Sequence, residues 1–275
     1  MSNPLMYHFF VKAIIAAILS GFSSGLIGSW IVAKRKVFVT GGISHSSFGG
    51  IGLGYFMGFS PVVGALLFGV LSALGIEYIS GGKVREDSAI GIFWSLGMAV
   101  GILLIYLTPG YAPNLTGYLF GSILIVSSGD LWALGITNAL TGLFFLLFYK
   151  TILFTSYDPA YAYTHKIPVK LFNYLLMALT AITLVLNIRI AGIILVISIL
   201  TIPATIVNLF INEFQKIILY GILISIAGSL SGLLLSYHFG LPSGATIVFV
   251  LITFFVIARL IKTLLNNKKR RLPIA

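Results

Sequence analysis

The chain has 275 residues, of which 59% are hydrophobic and 8% charged, with a mean hydropathy of +1.08. Soluble domains carry about a quarter charged residues, so this composition excludes a globule folded in water. The net charge of +11 could suit a nucleic acid, yet no basic, aromatic-interleaved hydrophilic segment is present to bind one. The absence of cysteine excludes disulfides and thiolate metal sites.

The apolar residues come in runs of about the ~20 that a helix needs to cross ~30 Å of hydrocarbon. Residues 11–32 form the first, ending at Lys34-Arg35-Lys36. With no basic leader and no small-residue cleavage site, it reads as a retained span rather than a removed signal peptide. Residues 40–59 are rich in Gly and Ser; 62–79 return to a polar loop, 80–87; and 89–107 lead to a Pro/Gly segment, 108–117. The stretch 118–127 is too short to cross and reads as interfacial or re-entrant. Spans are expected at 131–148, 171–186, 190–207, 217–237 and 246–261, with a polar loop at 155–170 and a basic tail after the last. The expected fold is therefore all-α: one polytopic transmembrane bundle of about nine spans over residues 1–275.

That count places the basic clusters (34–36, 83–85, 150, 166–170, 262 and 268–271) on one side, leaving Lys12 and Arg189 near the other. Cytoplasmic loops carry such an excess, and it favours anionic lipid headgroups. The expectation is a multi-pass protein of a bacterial cytoplasmic (inner) membrane, N-terminus outside and C-terminus in the cytoplasm. Glycines recur four residues apart at Gly21/Gly25, Gly50/Gly54/Gly58, Gly97/Gly101 and Gly228/Gly232. Such strips let helix backbones approach closely. They suit tight packing first and sliding surfaces second.

Several chemistries have no foothold. Gly82-Lys83 lacks the glycine that a phosphate-binding loop needs five residues earlier, and H-E-x-x-H and G-x-S-x-G do not occur. The six acidic residues, Glu77, Glu86, Asp87, Asp130, Asp158 and Glu213, fall at or near span ends. Ion-coupled carriers place carboxylates at mid-membrane, so a secondary transporter acting alone is the disfavoured alternative. A scaffold or lipid-modifying enzyme is a weaker rival still. Energy for transport is expected from a partner.

Seven stretches then stand in a telling order: Gly41-Gly42-Ile43-Ser44-His45-Ser46; Arg85 to Ile92; Leu119 to Leu124 before Asp130; Tyr157-Asp158-Pro159-Ala160-Tyr161-Ala162; Ala191 to Val196; Ile202-Pro203-Ala204; and Leu241-Pro242-Ser243-Gly244. Together they resemble the zinc/manganese/iron permease family of bacterial ABC importers. The resemblance implies a type II importer permease, similar to vitamin B12 and haem permeases. It implies a homodimer around a central path, separate cytosolic ABC ATPases, and an extracytoplasmic metal-binding protein that delivers the ion. The permease itself would be no enzyme and hold no cofactor; its cargo would be a divalent metal ion. Asp158, Pro159, Tyr161, Ala162 and Lys166 fall in the family's ATPase-coupling region, with Lys166 where relatives usually carry glycine.

His45 is the candidate metal contact, because imidazole binds zinc and iron readily and is costly in a span unless it faces a cavity or partner. Ser44 and Ser47 are possible weaker oxygen ligands, and His238 a lesser candidate. In the family an aspartate precedes the histidine by one turn; Gly41 stands there. Gly240 likewise stands where an acidic residue is common. Losing both oxygen ligands weighs against manganese relative to zinc or ferrous iron, or points to a metal chelate. The structural alternative for His45 is a hydrogen bond to Ser20, Ser23 or Ser24. Pro203 is expected to kink its helix. Arg189 reads as a snorkelling cation or a gate, and Asp130 as a helix start.

Overall fold

A computed structural model describes residues 8–109 and 123–270. In chain order the elements are α1 (His8–Ala33), α2 (Val37–Met57), α3 (Pro61–Ser80), α4 (Glu86–Leu107), a single 3-10 turn (Ile123–Ile125), α5 (Ser128–Leu147), α6 (Tyr149–Tyr157), α7 (Pro159–Thr164), α8 (Val169–Asn208), α9 (Phe214–Phe239) and α10 (Ser243–Arg270). Residues 118–122 of the expected re-entrant piece lie outside the described residues, and 123–125 form the 3-10 turn. The expected polar loop 155–170 instead contains the end of α6 and all of α7.

Local chemistry sets the helix ends. Pro61 opens α3 at its first turn, where a missing N–H costs nothing. Ser127 and Asp130 form a reciprocal capping box on α5, which bears out the reading of Asp130 as a helix start. Glu86 and Asp87 lie in the first turn of α4, where the helix dipole favours negative charge. Gly58 ends α2 in the left-handed conformation.

Seven helices among the described residues are long and apolar enough to span a membrane. The helix α2 is 21 residues long and mostly buried; its Gly/Ser content, rather than its length, keeps it out of that set. The 40-residue α8 is two legs joined at Gly192, whose backbone (φ 77°, ψ 164°) is non-helical. Its neighbours reveal a reversal. Asn187 Nδ2 donates to Ser23 Oγ at 3.3 Å, while thirteen residues later Leu200 lies against Gly28. A straight helix would have carried Leu200 roughly 20 Å the other way along α1. The two legs correspond to the expected spans 171–186 and 190–207, so each expected span has its counterpart.

The helices pack as two groups. One is α2, α3 and α4; the other is α1 with α5, α9 and α10; α8 packs against both. Glycines make these contacts close. Gly97 and Gly101 of α4 lie on the backbone of α2 at Ser46 and Phe48, and Gly50 meets Gly64 of α3. In the other group Gly21 and Gly25 lie against Ile226 and Ile222, and Gly228 and Gly232 against α10. The glycine strips are thus helix-packing surfaces. Close approach matters here because lipid removes the hydrophobic drive between helices, leaving van der Waals contact to hold them.

Lys34 and Lys36 fasten one end of the bundle. Lys36 pairs with Glu77 at 2.6 Å and Glu86 at 3.3 Å, tying α2, α3 and α4 together. Lys34 donates to the Thr155 carbonyl at 2.6 Å, fastening the turn after α1 to α6. Burial holds the Lys34 amine below its ordinary pKa.

Candidate functional site

His45 lies about 12 Å into α2 from its basic end. The face that carries it, Gly41, His45, Gly49 and Gly52, turns toward α4, where Gly49 and Gly52 pack on Gly97 and Gly101. The imidazole stacks on the Trp94 indole with ring centroids 4.1 Å apart and planes 10° from parallel. Phe48 is a second aromatic neighbour at 6.3 Å. The buried Nδ1 has no hydrogen-bond partner among the described residues. The expected alternative, a bond to a serine of α1, is not what the structure holds: His45 faces α4, Ser20 and Ser24 hydroxyls are themselves unpartnered, and Ser23 bonds within α1 and to Asn187.

The serines beside His45 are turned elsewhere. Ser44 Oγ donates to the Thr40 carbonyl and Ser47 Oγ to the Ser44 carbonyl, both at 2.7 Å. His238 lies near the end of α9 opposite the basic end, exposed and edge-on to Phe239. The structure therefore does not bring His238 to His45. Among the described residues no three His, Asp or Glu side chains gather as a metal cage.

Both glycines that replace acidic residues have a local explanation. A Cβ at Gly41 would lie 3.2 Å from the Trp94 ring, so the space an aspartate would use is held by the indole. Gly240 follows α9 with φ 65°, in the left-handed region that glycine enters most easily. Sequence reasoning missed Trp94, and the vacant side chain at Gly41 was its one trace.

The coupling residues assemble into α7. Asp158 Oδ1 accepts from the Tyr161 amide at 2.9 Å, and Pro159 opens the helix, the preferred arrangement at a helix start. Tyr161 lies between Phe154 at 4.8 Å and His165 at 4.0 Å, and Ala162 is buried. The helix ends with Ile167 N–H bonding the Ala162 carbonyl and Lys166 N–H bonding Tyr163, a Schellman closure. Lys166 occupies its left-handed position with φ 57°. The glycine expected there from the resemblance thus has a backbone reason. Beside α7 opens a cleft of about 560 Å³ lined by Glu77, Tyr163, Lys170, Asn173 and Tyr174.

Arg189 pairs with Asp130 at 2.9 Å, joining the first leg of α8 to the start of α5. Pro203 keeps helical dihedrals, and the break in α8 falls at Gly192 instead. Pro203 does leave the Ile199 carbonyl without its helical donor. Ser225 of α9 supplies one, its hydroxyl donating at 3.4 Å.

The described residues form a polytopic helical bundle with an imidazole inside one helix and a capped short helix at its basic end, the architecture of a multi-pass membrane protein. The model of the ABC 3 transport family matches residues 6–262, and the chain belongs to that family. An uncharacterized membrane protein of Synechocystis sp. is 41% identical over 91% of this chain and 89% of its own length. A manganese transport system membrane protein of Listeria monocytogenes is 35% identical over 98% of both. A solved structure described as PsaBC from Streptococcus pneumoniae in complex with Fab aligns with a TM-score of 0.82 at 32% identity, covering 92% of each chain.

Proposed function

We propose that this chain is the permease subunit of an ABC importer for a divalent metal ion. It works as a homodimer in the bacterial cytoplasmic membrane, with its N-terminus outside and its basic end and C-terminus in the cytoplasm. Separate ATPases dock on α7, and an extracytoplasmic metal-binding protein delivers the ion. The observation that carries this reading is His45: an imidazole within α2 whose buried Nδ1 has no hydrogen-bond partner among the described residues, in a chain whose relatives include manganese transport proteins. Such a group is costly in a membrane unless it serves a ligand. The nitrogen donor fits zinc or ferrous iron better than manganese, and Ser44 and Ser47 would contribute only by turning from their present carbonyl acceptors.

The carboxylates speak against an ion-coupled carrier. Glu77 and Glu86 pair with Lys36, Asp87 with Arg85, Asp130 with Arg189 and Glu213 with Lys216, while Asp158 caps α7. None stands free at mid-membrane to bind a coupling proton or sodium ion. The test is metal uptake into vesicles holding the permease and its ATPase, with zinc, manganese and ferrous iron compared. His45→Ala is expected to cut uptake at least about tenfold, a loss of ~1.4 kcal/mol, while destabilising the fold by no more than the ~0.5–1.5 kcal/mol of its stack on Trp94. A destabilised His45→Ala with an unchanged metal profile would remove the ligand assignment.

A further inference from the structure

At the basic end, the last turn of α8, the connection to α9 and the outer face of α9 enclose an open groove of about 270 Å³. Its walls are Ile206, Val207, Phe210, Ile211, Tyr220 and Ile224. Tyr220 and Ile224 lie about 9 and 15 Å along α9 from Phe214, so the groove runs lengthwise into the depth of the membrane. Lys262 of α10 reaches over its rim, with Nζ 5.6 Å from the centre of the Phe210 ring.

Depth identifies the rim. Lys262 follows Ser243 by nineteen residues, about 29 Å along α10, which is the thickness of the hydrocarbon layer. With Ser243 taken as the far boundary, the Lys262 ammonium falls at headgroup level beside Phe210, and Tyr220 and Ile224 fall deeper, at acyl-chain level. Arg259 is three residues away on the same helix and exposed. Neither cation has a carboxylate partner among the described residues; the one nearby acid, Glu213, is occupied by Lys216 at 2.9 Å.

We infer that this groove binds one anionic phospholipid, with an acyl chain along Phe210, Tyr220 and Ile224 and its phosphate against Lys262 and Arg259. A zwitterionic lipid offers the same chain but brings its own cation to the rim, so charge decides between them. A soluble peptide would meet bilayer, not water, along this face.

The experiment is native mass spectrometry of the full chain with dioleoyl phosphatidylglycerol or dioleoyl phosphatidylcholine added. One phosphatidylglycerol per protomer is expected to survive activation that strips phosphatidylcholine. The double variant Lys262→Gln/Arg259→Gln is expected to weaken that retention about tenfold, and Lys12→Gln on the opposite side to leave it unchanged. Ile224→Phe, which fills the groove with both charges intact, is expected to weaken it as well. Equal retention of the two lipids, or unchanged phosphatidylglycerol retention in either groove variant, overturns the inference. If the double variant keeps its lipid but loses the dimer, the groove belongs to a second copy of the chain and the proposal falls.

Discussion

Restoring an aspartate at position 41 should be opposed by Trp94, and the opposition can be sized. A Cβ there already lies 3.2 Å from the indole, and the carboxyl carbon extends ~1.5 Å further. The carboxylate can therefore join His45 on one cation only if Trp94 swings away from the imidazole it now covers at 4.1 Å. Losing an aromatic stack costs about 0.5–1.5 kcal/mol, equivalent to roughly fivefold in Kd. Gly41→Asp alone is thus expected to gain manganese affinity only in part. The same change in a Trp94→Ala background should gain about fivefold more, while zinc, less dependent on carboxylate, should respond less. Titration of the four purified proteins with each metal gives the coupling energy directly, because helix-propensity effects of the two substitutions cancel around the cycle. Additivity within ~0.5 kcal/mol would refute the argument that Trp94 occupies the aspartate's place.

Three further outcomes are expected. Gly192→Ala places a side chain at φ 77°, ψ 164°, a region closed to it at about 1–3 kcal/mol; thermal unfolding followed by size exclusion should show a lower melting temperature, and an unchanged one would contradict the reversal at this residue. Lys166→Gly relieves a left-handed non-glycine residue (φ 57°) and should stabilise by roughly 1 kcal/mol, seen as a raised melting temperature with ATPase binding retained. Asp158→Ala combined with Tyr161→Ala removes the cap and the aromatic sandwich of α7; ATPase association in pull-down should fall while membrane insertion, read by protease protection, stays normal.

Much of the fold was legible because membrane spans announce themselves through uninterrupted apolar length. The Gly/Ser-rich α2 and both legs of α8 match the expected spans 40–59, 171–186 and 190–207. What sequence could not reveal was orientation about the helix axis. His45 stood out as an ionisable residue in a span, but whether it turned to α1 or α4 depended on which glycine face packed where. Pro203 drew attention as the helix breaker, although Ser225 repairs its gap and Gly192 makes the turn. Residues 155–170 read as a loop because α7, at six residues, is too short to show a helical period; its cap, Asp158, was noticed for another reason.

The reversal at Gly192 also gives the molecule a lever. Helices α2–α4 form one block and α1, α5, α9 and α10 another, and α8 touches both, with Val185 of its first leg on Gly69 and Leu200 of its second on Gly28. A swing of ~10° about that single residue carries the tip of the second leg, about 24 Å away, through ~4 Å. Such travel would exceed the width of a water molecule, and Gly192 is the residue where α8 already leaves helical geometry.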